Sequence, residues 1–200
     1  MRFSPVPRLT CLVSEHDDLS VLTRLAELGV DGFQVRSKAY DARGLIELTR
    51  TVIAAVRPSG ASVIVNDRVD VAVAAGADGA HLGSGDLPVA VARSLAPGLL
   101  LGATCRSLAE VESAASEGAD YAGVGPVFAT TSKIGLPEPL GTAGLRGVVG
   151  RLPVIAIGGI TAADAADVLA AGASGVAVIG GIWRPPDPVR AAEELLAAIG

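Results

Sequence analysis

The scarcest polar residue types of this chain cluster near the ends of short apolar runs. Among its 200 residues are two lysines, Lys38 and Lys133, one glutamine, Gln34, and one asparagine, Asn66. Each of the four lies at or just after the end of a run that is typical of a β-strand. Because the sequence otherwise uses Arg for positive charge and Ala as filler, this placement favours a binding site over compositional chance.

The segment QVRSK contributes two cations and an amide. Strand alternation directs Gln34 and Arg36 to the same side of a sheet, and Lys38 follows at its rim. Such groups are costly to desolvate unless an anion joins them, so the segment indicates an anion site. Pairing of Arg36 with neighbouring carboxylates is the simpler alternative.

Two carboxylates follow the next two runs. Asn66-Asp67 ends one run, and Asp86 comes four residues after the other, in HLGSGD. Carboxylates on neighbouring loops can share Mg²⁺, which prefers oxygen ligands and keeps waters for a substrate phosphate. Asp86 also suits a helix N-cap ahead of Leu87-Pro88, and the two roles are compatible.

Two further segments suit phosphate groups. In GPVFATTSK the hydroxyls of Thr130, Thr131 and Ser132 precede Lys133, and hydroxyls with a lysine fit phosphate oxygens. Glycines in IGG (157–159) and VIGG (178–181) can expose backbone N–H groups at helix starts, a common anion site. A tight turn would also need glycine at these places.

The elements that must position these residues form a regular alternation. Eight apolar runs cover 8–14, 32–36, 62–66, 79–83, 99–104, 121–125, 153–159 and 175–181. Stretches of helical period separate them, most clearly Leu19–Leu28, Leu45–Val56 and Ala162–Ala171. Strands alternating with helices indicate βαβ units and a parallel sheet.

An internal repeat sharpens the prediction. The chain reads GVDGFQV from 29, GADGAHL from 76, GADYAGV from 118 and GASGVAV from 172. In each copy a Gly caps a helix and a buried strand follows. Four copies of a two-strand unit predict an α/β fold, a single compact (βα)8 barrel over residues 1–200, with its chemistry at the carboxyl ends of the strands. A doubly wound open sheet is less favoured, because the first strand is followed by VSEHDD and not by a glycine-rich turn.

Composition excludes several classes of protein. Half of the residues are hydrophobic and 18% are charged, which rules out disorder, and a net charge of −5 argues against nucleic-acid binding. The sequence has no run of 18 apolar residues, so no membrane span is predicted, and the N-terminal segment lacks a signal-peptide core. We therefore expect a cytoplasmic protein. Cys11 and Cys105 fit neither a disulfide framework nor a paired metal motif. The oligomeric state stays open, a homo-oligomer included.

The residues alone therefore predict two anion sites at one barrel mouth. Backbone amides suit a phosphomonoester, while Arg36, Lys38 and Lys133 beside a Mg²⁺ on Asp67 and Asp86 suit a pyrophosphate. A pyrophosphate neutralised in this way is a good leaving group, so coupling of a pyrophosphate ester to a phosphorylated acceptor fits. No Cys, Ser or His arrangement suggests covalent catalysis, and His81, inside a strand, is expected to be a core residue.

Four segments in this order, QVRSK, VNDRVDVAVAAGADGAHLGSGDLP, GPVFATTSK and AIGGI…GVAVIGGI, carry a resemblance over roughly residues 9 to 183. The chain resembles the thiamine phosphate synthase family and the related thiazole tautomerases. The resemblance implies a (βα)8 barrel that joins hydroxymethylpyrimidine pyrophosphate to a thiazole phosphate with Mg²⁺ and releases pyrophosphate. It also implies dissociative chemistry through a pyrimidine carbocation, which needs no protein nucleophile.

The resemblance also implies roles for individual residues. Gln34 would contact the pyrimidine, and Asp67 and Asp86 would bind Mg²⁺. The pyrophosphate would be held by four polar side chains, Arg36, Lys38, Asn66 and Lys133. The substrates, the thiazole phosphate above all, would be contacted by hydroxyls and by strand-end backbone, namely Thr104, Thr130, Ser132, Gly159, Val178 and Ile179.

The chain departs from the family pattern at four positions. Ser84 replaces a Gln before the second metal aspartate, Ala129 replaces a Pro, and Thr104 and Arg106 replace a Ser and a His after the fifth strand. Tautomerases use a histidine at the position of Arg106, and arginine cannot shuttle protons there. We therefore predict a synthase. The alternatives are a tautomerase-like enzyme and a non-catalytic regulator that binds thiazole phosphate.

Overall fold

A computed structural model describes residues 6–132 and 135–200 of the chain. Eight parallel strands pair in sequence order and close into a barrel, because β8 pairs with β1. The strands are β1 (Leu9–Val13), β2 (Gly32–Val35), β3 (Ser62–Asn66), β4 (Gly79–Leu82), β5 (Leu100–Cys105), β6 (Tyr121–Val124), β7 (Val154–Ile157) and β8 (Gly175–Val178). The predicted (βα)8 barrel is confirmed.

Helices follow the strands and form the outer layer. They are α1 (Leu22–Leu28), α2 (Ala42–Val56), α3 (Val69–Ala75), α4 (Val89–Leu95), α5 (Leu108–Glu117), α6 (Gly141–Arg146), α7 (Ala162–Ala170), α8 (Gly180–Trp183) and α9 (Pro188–Ile199). Short 3-10 helices cover Leu19–Val21 and Arg57–Ser59. Within the described ranges, no helix has both the length and the apolar character that crossing a bilayer requires.

Strand alternation divides the buried apolar residues into two layers. Outward-facing residues such as Phe33, Val63 and Val65 pack against the helices in one large cluster. A separate, smaller cluster fills the barrel itself, with Leu12, Ile64, Leu100, Tyr121, Ile155 and Ala177. Because both faces of each strand are covered, the strands are almost uniformly apolar, as the sequence indicates.

The repeated glycines end helices as predicted. Gly29, Gly76 and Gly118 cap α1, α3 and α5 in the left-handed conformation. In the fourth copy Ala171 caps α7, and Gly172 follows with φ of 105°. A positive φ at these turns favours glycine, since a Cβ would be strained there.

The aspartate after each of the first three repeat glycines stabilises the amino-terminal end of the barrel. Asp31 accepts from the backbone N–H of Leu9 at 2.9 Å, Asp78 from Val63 at 2.8 Å, and Asp120 from Leu101 at 2.7 Å. These bonds occupy the N–H groups of neighbouring strand ends. Stabilising contacts thus hold one end of the barrel, which leaves the other end for binding.

Candidate active site

A cavity of about 500 Å³ opens at the carboxyl ends of the strands. It receives side chains or backbone from all eight strands and the loops that follow them. The residues predicted for the site that line it are Gln34, Arg36, Lys38, Asn66, Asp67, Thr104, Thr130, Ser132, Gly159, Val178 and Ile179. Lys133 falls outside the described residues, and Asp86 does not line the cavity, although its hydrogen-bond partner Gly83 does.

Side chains from β2 and β3 form a polar wall on one side of this cavity. The Gln34 amide, only 6% exposed, donates from Nε2 to Oδ1 of Asn66 at 2.8 Å. Lys38 Nζ contacts Asp67 Oδ2 at 2.5 Å. Arg36 lines the same wall and forms no salt bridge with a carboxylate among the described residues. The simpler alternative, in which neighbouring carboxylates pair with Arg36, is therefore not what the structure shows.

Asp67 has an unusual backbone conformation at the end of this wall. Its φ of 64° is the one positive value of a non-glycine residue in the described part of the chain, and its N–H donates to the His81 carbonyl at 2.7 Å. Such a conformation costs of order 1–3 kcal/mol and concentrates at functional sites. Burial alone would raise the pKa of Asp67, but hydrogen bonds with Lys38 and Asp86 and the charges of Lys38 and Arg36 lower it.

Asp86 is held next to Asp67 by a tight turn. Its Oδ2 accepts from the Gly83 N–H at 2.7 Å, and Pro88, not Asp86, is the N-cap of α4. Burial and then the neighbouring Asp67 raise the pKa of Asp86, because two adjacent carboxylates resist ionising together. A divalent cation would relieve this repulsion, and two carboxylates with open positions are the donor set that Mg²⁺ uses. The pair therefore fits the predicted metal.

His81 lies inside the barrel with partners for both ring nitrogens, as expected of a core residue, but it also lines the cavity. Its ring lies inside the barrel at the cavity, with Nε2 3.0 Å from Thr104 Oγ1 and Nδ1 3.2 Å from the Tyr121 hydroxyl. A Cβ on Gly123 would come within 2.5 Å of the His81 ring, and one on Gly102 would collide with Tyr121. Two inward-facing glycines thus make room for a series of hydrogen-bonded side chains, Tyr121, His81 and Thr104, which ends at Thr104.

The hydrogen bonds that link Tyr121, His81 and Thr104 run in one direction. Tyr121 is buried, and among the described residues its hydroxyl has no hydrogen-bond partner other than His81. The phenol therefore donates to Nδ1, which leaves the proton on Nε2, donated to Thr104. Burial lowers the pKa of His81 to about 4, which keeps the ring neutral. The Thr104 hydroxyl is then free to donate into the cavity.

Exposed backbone at glycines supplies polar groups to the wall made by β7 and β8. Gly158 and Gly159 adopt φ of 100° and 70°, and a Cβ at Gly159 would lie 2.5 Å from the Ala129 carbonyl oxygen. The N–H groups of Gly159 and Ile160 donate to no acceptor within 6–132 and 135–200. A Cβ at Gly181 would lie 3.0 Å from the Ile160 carbonyl oxygen, so the segments 158–160 and 179–181 meet in one glycine cradle.

The family assignment follows from comparison with known proteins. The model of the thiamine monophosphate synthase family matches residues 9–182. The thiamine-phosphate synthase of Chloroflexus aurantiacus is 44% identical over 86% of this chain and 80% of its own length. That of Chlorobium luteolum is 41% identical over 97% of this chain and 94% of its own. This chain belongs to the thiamine monophosphate synthase family.

A solved family structure agrees with the barrel. The thiamine phosphate pyrophosphorylase of Pyrococcus furiosus superposes with a TM-score of 0.87 at 36% identity, covering 96% of this chain and 95% of that one. The resemblance drawn from the motifs, and the prediction of a transferase, are confirmed by this membership.

Arg106, a departure from the family pattern, does not line the cavity. Its Nη1 donates to the Gly125 carbonyl and its Nη2 to the Glu138 carbonyl, each at 2.8 Å. The guanidinium thus ties the Pro-rich loop after β6 to the barrel end. This arrangement offers nothing for proton shuttling, in contrast to the histidine expected of a tautomerase.

The other departures differ in position. Thr104 keeps a hydroxyl at the cavity, and Ala129 lines it, whereas Ser84 is exposed outside it. Sequence reasoning missed Arg184, which also lines the cavity. Arg184 comes only three residues after the second glycine of VIGG. Its closeness to this predicted phosphate-binding turn is the sequence signal that could have identified it.

Proposed function

We propose that this chain catalyses the Mg²⁺-dependent coupling of hydroxymethylpyrimidine pyrophosphate with thiazole phosphate to form thiamine phosphate and pyrophosphate. The observation that carries the proposal is the pairing of two unlike anion sites across one cavity. A wall of cations and carboxylates suits a metal-bound pyrophosphate, and a glycine cradle suits a phosphomonoester.

The residues of the polar wall act on the leaving group. Arg36 and Lys38, with Lys133 expected beside them, hold the pyrophosphate and offset the charge that grows as its bond to the pyrimidine methylene breaks. Asp67 and Asp86 would hold Mg²⁺, which supplies further neutralisation of that charge when bound. Lys38 already contacts Asp67, so the cation is positioned before substrate arrives.

The other residues orient the two reacting partners. Gln34 and the Thr104 hydroxyl contact the pyrimidine side, while Thr130, Ser132, Gly159 and the backbone at Val178 and Ile179 hold the thiazole phosphate. The electron pair of the broken C–O bond leaves with pyrophosphate, and the thiazole nitrogen attacks the resulting pyrimidine cation to form the new C–N bond. No protein nucleophile is needed, and Cys105 is buried with its pKa raised to about 11 by burial and by Glu110.

The test is product formation by the purified protein with both substrates and Mg²⁺. We expect thiamine phosphate and pyrophosphate in equal amounts, and no product after EDTA. Lys133→Ala, which the sequence prediction singles out, is expected to lower turnover by at least about 100-fold. Binding of thiazole phosphate without turnover would favour a regulator, and isomerisation of a thiazole substrate would favour the tautomerase alternative. The cytoplasmic location and the oligomeric state stay predictions.

A further inference from the structure

Arg184 extends over the glycine cradle from the end of α8. A Cβ on Gly180 would lie 2.7 Å from its Nε and 3.1 Å from its Cζ, so the guanidinium packs directly on the bare glycine. Its Nη2 donates to Thr131 Oγ1 at 2.6 Å and lies 3.5 Å from Ser132 Oγ. The hydroxyls of the loop after β6 thus hold the side chain in this position.

The remaining donors of Arg184 lack partners within the described ranges. Its Nε and Nη1 make no hydrogen bond there, and no carboxylate pairs with it. Several other arginines do pair with a carboxylate, among them Arg190, which binds Glu194 at 3.0 Å. A guanidinium fixed at one corner, with its other donors at a cavity wall, is arranged to receive an anion.

We propose that Arg184 binds the phosphate monoester of the acceptor substrate and closes the glycine cradle around it. This inference rests on the proposed function, and it names a side-chain cation for a site that otherwise consists of backbone and hydroxyls. The guanidinium fork matches phosphate oxygens with two parallel N–H donors. The Nε edge faces the cradle at Gly180, while the Lys38–Asp67 pair, which faces the pyrophosphate, follows β2 and β3.

Gly180 sets the position of the Arg184 guanidinium. Its φ is not positive, so alanine would suit the backbone there, but the added methyl would displace the guanidinium. Gly180→Ala therefore moves Arg184 without removing its charge. This variant tests the position of the guanidinium together with the shape of the cradle, whereas Arg184→Ala tests the presence of the charge.

The experiment compares the thiazole phosphate with its dephosphorylated alcohol as acceptor. For Arg184→Ala we expect the KM for thiazole phosphate to rise roughly 10- to 100-fold, the scale of a lost hydrogen bond to a charged group. Turnover of the alcohol and the KM for the pyrimidine pyrophosphate should change less than about threefold. Gly180→Ala should shift the same parameter in the same direction, and Arg190→Ala, on α9, should leave all of them unchanged.

A calorimetric titration without the pyrimidine substrate separates this proposal from the proposed function. Weaker binding of thiazole phosphate but not of the alcohol to Arg184→Ala supports the contact, even if the wild type forms no product. Equal losses for both acceptors would mean that Arg184 only braces the loop, and would overturn the proposal. Unchanged phosphate binding would overturn it as well. Absence of wild-type turnover, by contrast, refutes the coupling reaction alone.

Discussion

The two sides of the cavity present charge in opposite ways. On the β2–β3 side the charges belong to side chains, with Arg36, Lys38 and Asp67 grouped beside Asn66. On the β7–β8 side polarity comes from backbone N–H groups, exposed because glycines remove the side chains that would cover them. One wall depends on the side chains that are present. The backbone of the other depends on the lack of side chains at its glycines, with Arg184 as the cation that we propose there.

This difference determines which substitutions harm each wall. Removing a charge damages the side-chain wall, because its remaining partners are left uncompensated. Adding a single methyl damages the glycine wall, because the space is already taken by neighbouring backbone. Removal of a charge from the side-chain wall should therefore impair use of the pyrophosphate substrate, whereas a methyl added to the glycine wall should impair binding of the thiazole phosphate.

The largest effect should follow Asp67→Asn. The change keeps the size of the side chain but removes a proposed metal ligand and the partner of Lys38. We expect turnover to fall about 100- to 1,000-fold, the scale of a lost charge-stabilising group, with a higher Mg²⁺ requirement. Initial rates measured across a Mg²⁺ titration test this.

Asp70→Asn is the matched control for that change. Asp70 is exposed on α3 and pairs with Arg68 outside the cavity, so the same isosteric substitution should leave turnover and Mg²⁺ dependence intact. A near-normal rate for Asp67→Asn at ordinary Mg²⁺ would break the assignment of the charged wall to the metal.

A smaller but more selective effect should follow Gly159→Ala. The methyl would lie 2.5 Å from the Ala129 carbonyl oxygen and 2.9 Å from the Phe128 carbonyl carbon, at a φ of +70°. The loop carrying Thr130 must then shift away from the cradle. We expect affinity for thiazole phosphate to fall roughly 10- to 100-fold while Mg²⁺ dependence is kept, measured by titration calorimetry and by rates.

Gly60→Ala isolates the cost of the backbone conformation. Gly60 has φ of +81°, and an added methyl would meet nothing within 4 Å, so only left-handed strain is added, about 1–2 kcal/mol of stability. Its activity should stay normal. If Gly159→Ala bound the acceptor as the wild type does, the cradle would not be an anion site.

Much of the fold could be predicted because its signals are local. Helix-ending glycines at Gly29, Gly76 and Gly118 repeat with the strand that follows, and four copies of this two-strand unit give the eight βα units of a closed barrel. The charged wall was predictable for a similar reason. Rare residue types at strand ends become neighbours once the strands are parallel.

The interior of the barrel was harder to predict, because which face a strand presents depends on register. Gly79-x-His81 and Gly102-x-Thr104 repeat the spacing of Gly32-x-Gln34, and this inward pattern of glycine then polar residue could have moved His81 to the cavity. Arg184 gave a weaker signal. Its approach to Gly180 depends on the turn direction of α8, a tertiary property that local patterns do not specify.

His81 lies between the two walls, where burial keeps its ring uncharged. It should therefore make the stability of the protein depend on pH. Burial lowers the pKa of His81 to about 4, below its ordinary value of 6.5. As pH falls below 6.5, His81 becomes protonated in the unfolded chain but stays neutral in the folded chain. The stability present above pH 6.5 is therefore lost progressively toward pH 4. At pH 5 this linkage amounts to roughly 2 kcal/mol.

Urea unfolding at pH 7 and pH 5 measures this smallest effect. Every carboxylate also contributes to the acid loss, so the quantity that matters is the difference between wild type and His81→Gln, whose amide can still donate and accept. The wild type should lose about 2 kcal/mol more than the variant. Equal losses in wild type and His81→Gln would mean that the ring is protonated at pH 5 in the folded protein. The Tyr121–His81–Thr104 chain would then carry positive charge, and this part of the cavity would become an extension of the charged wall.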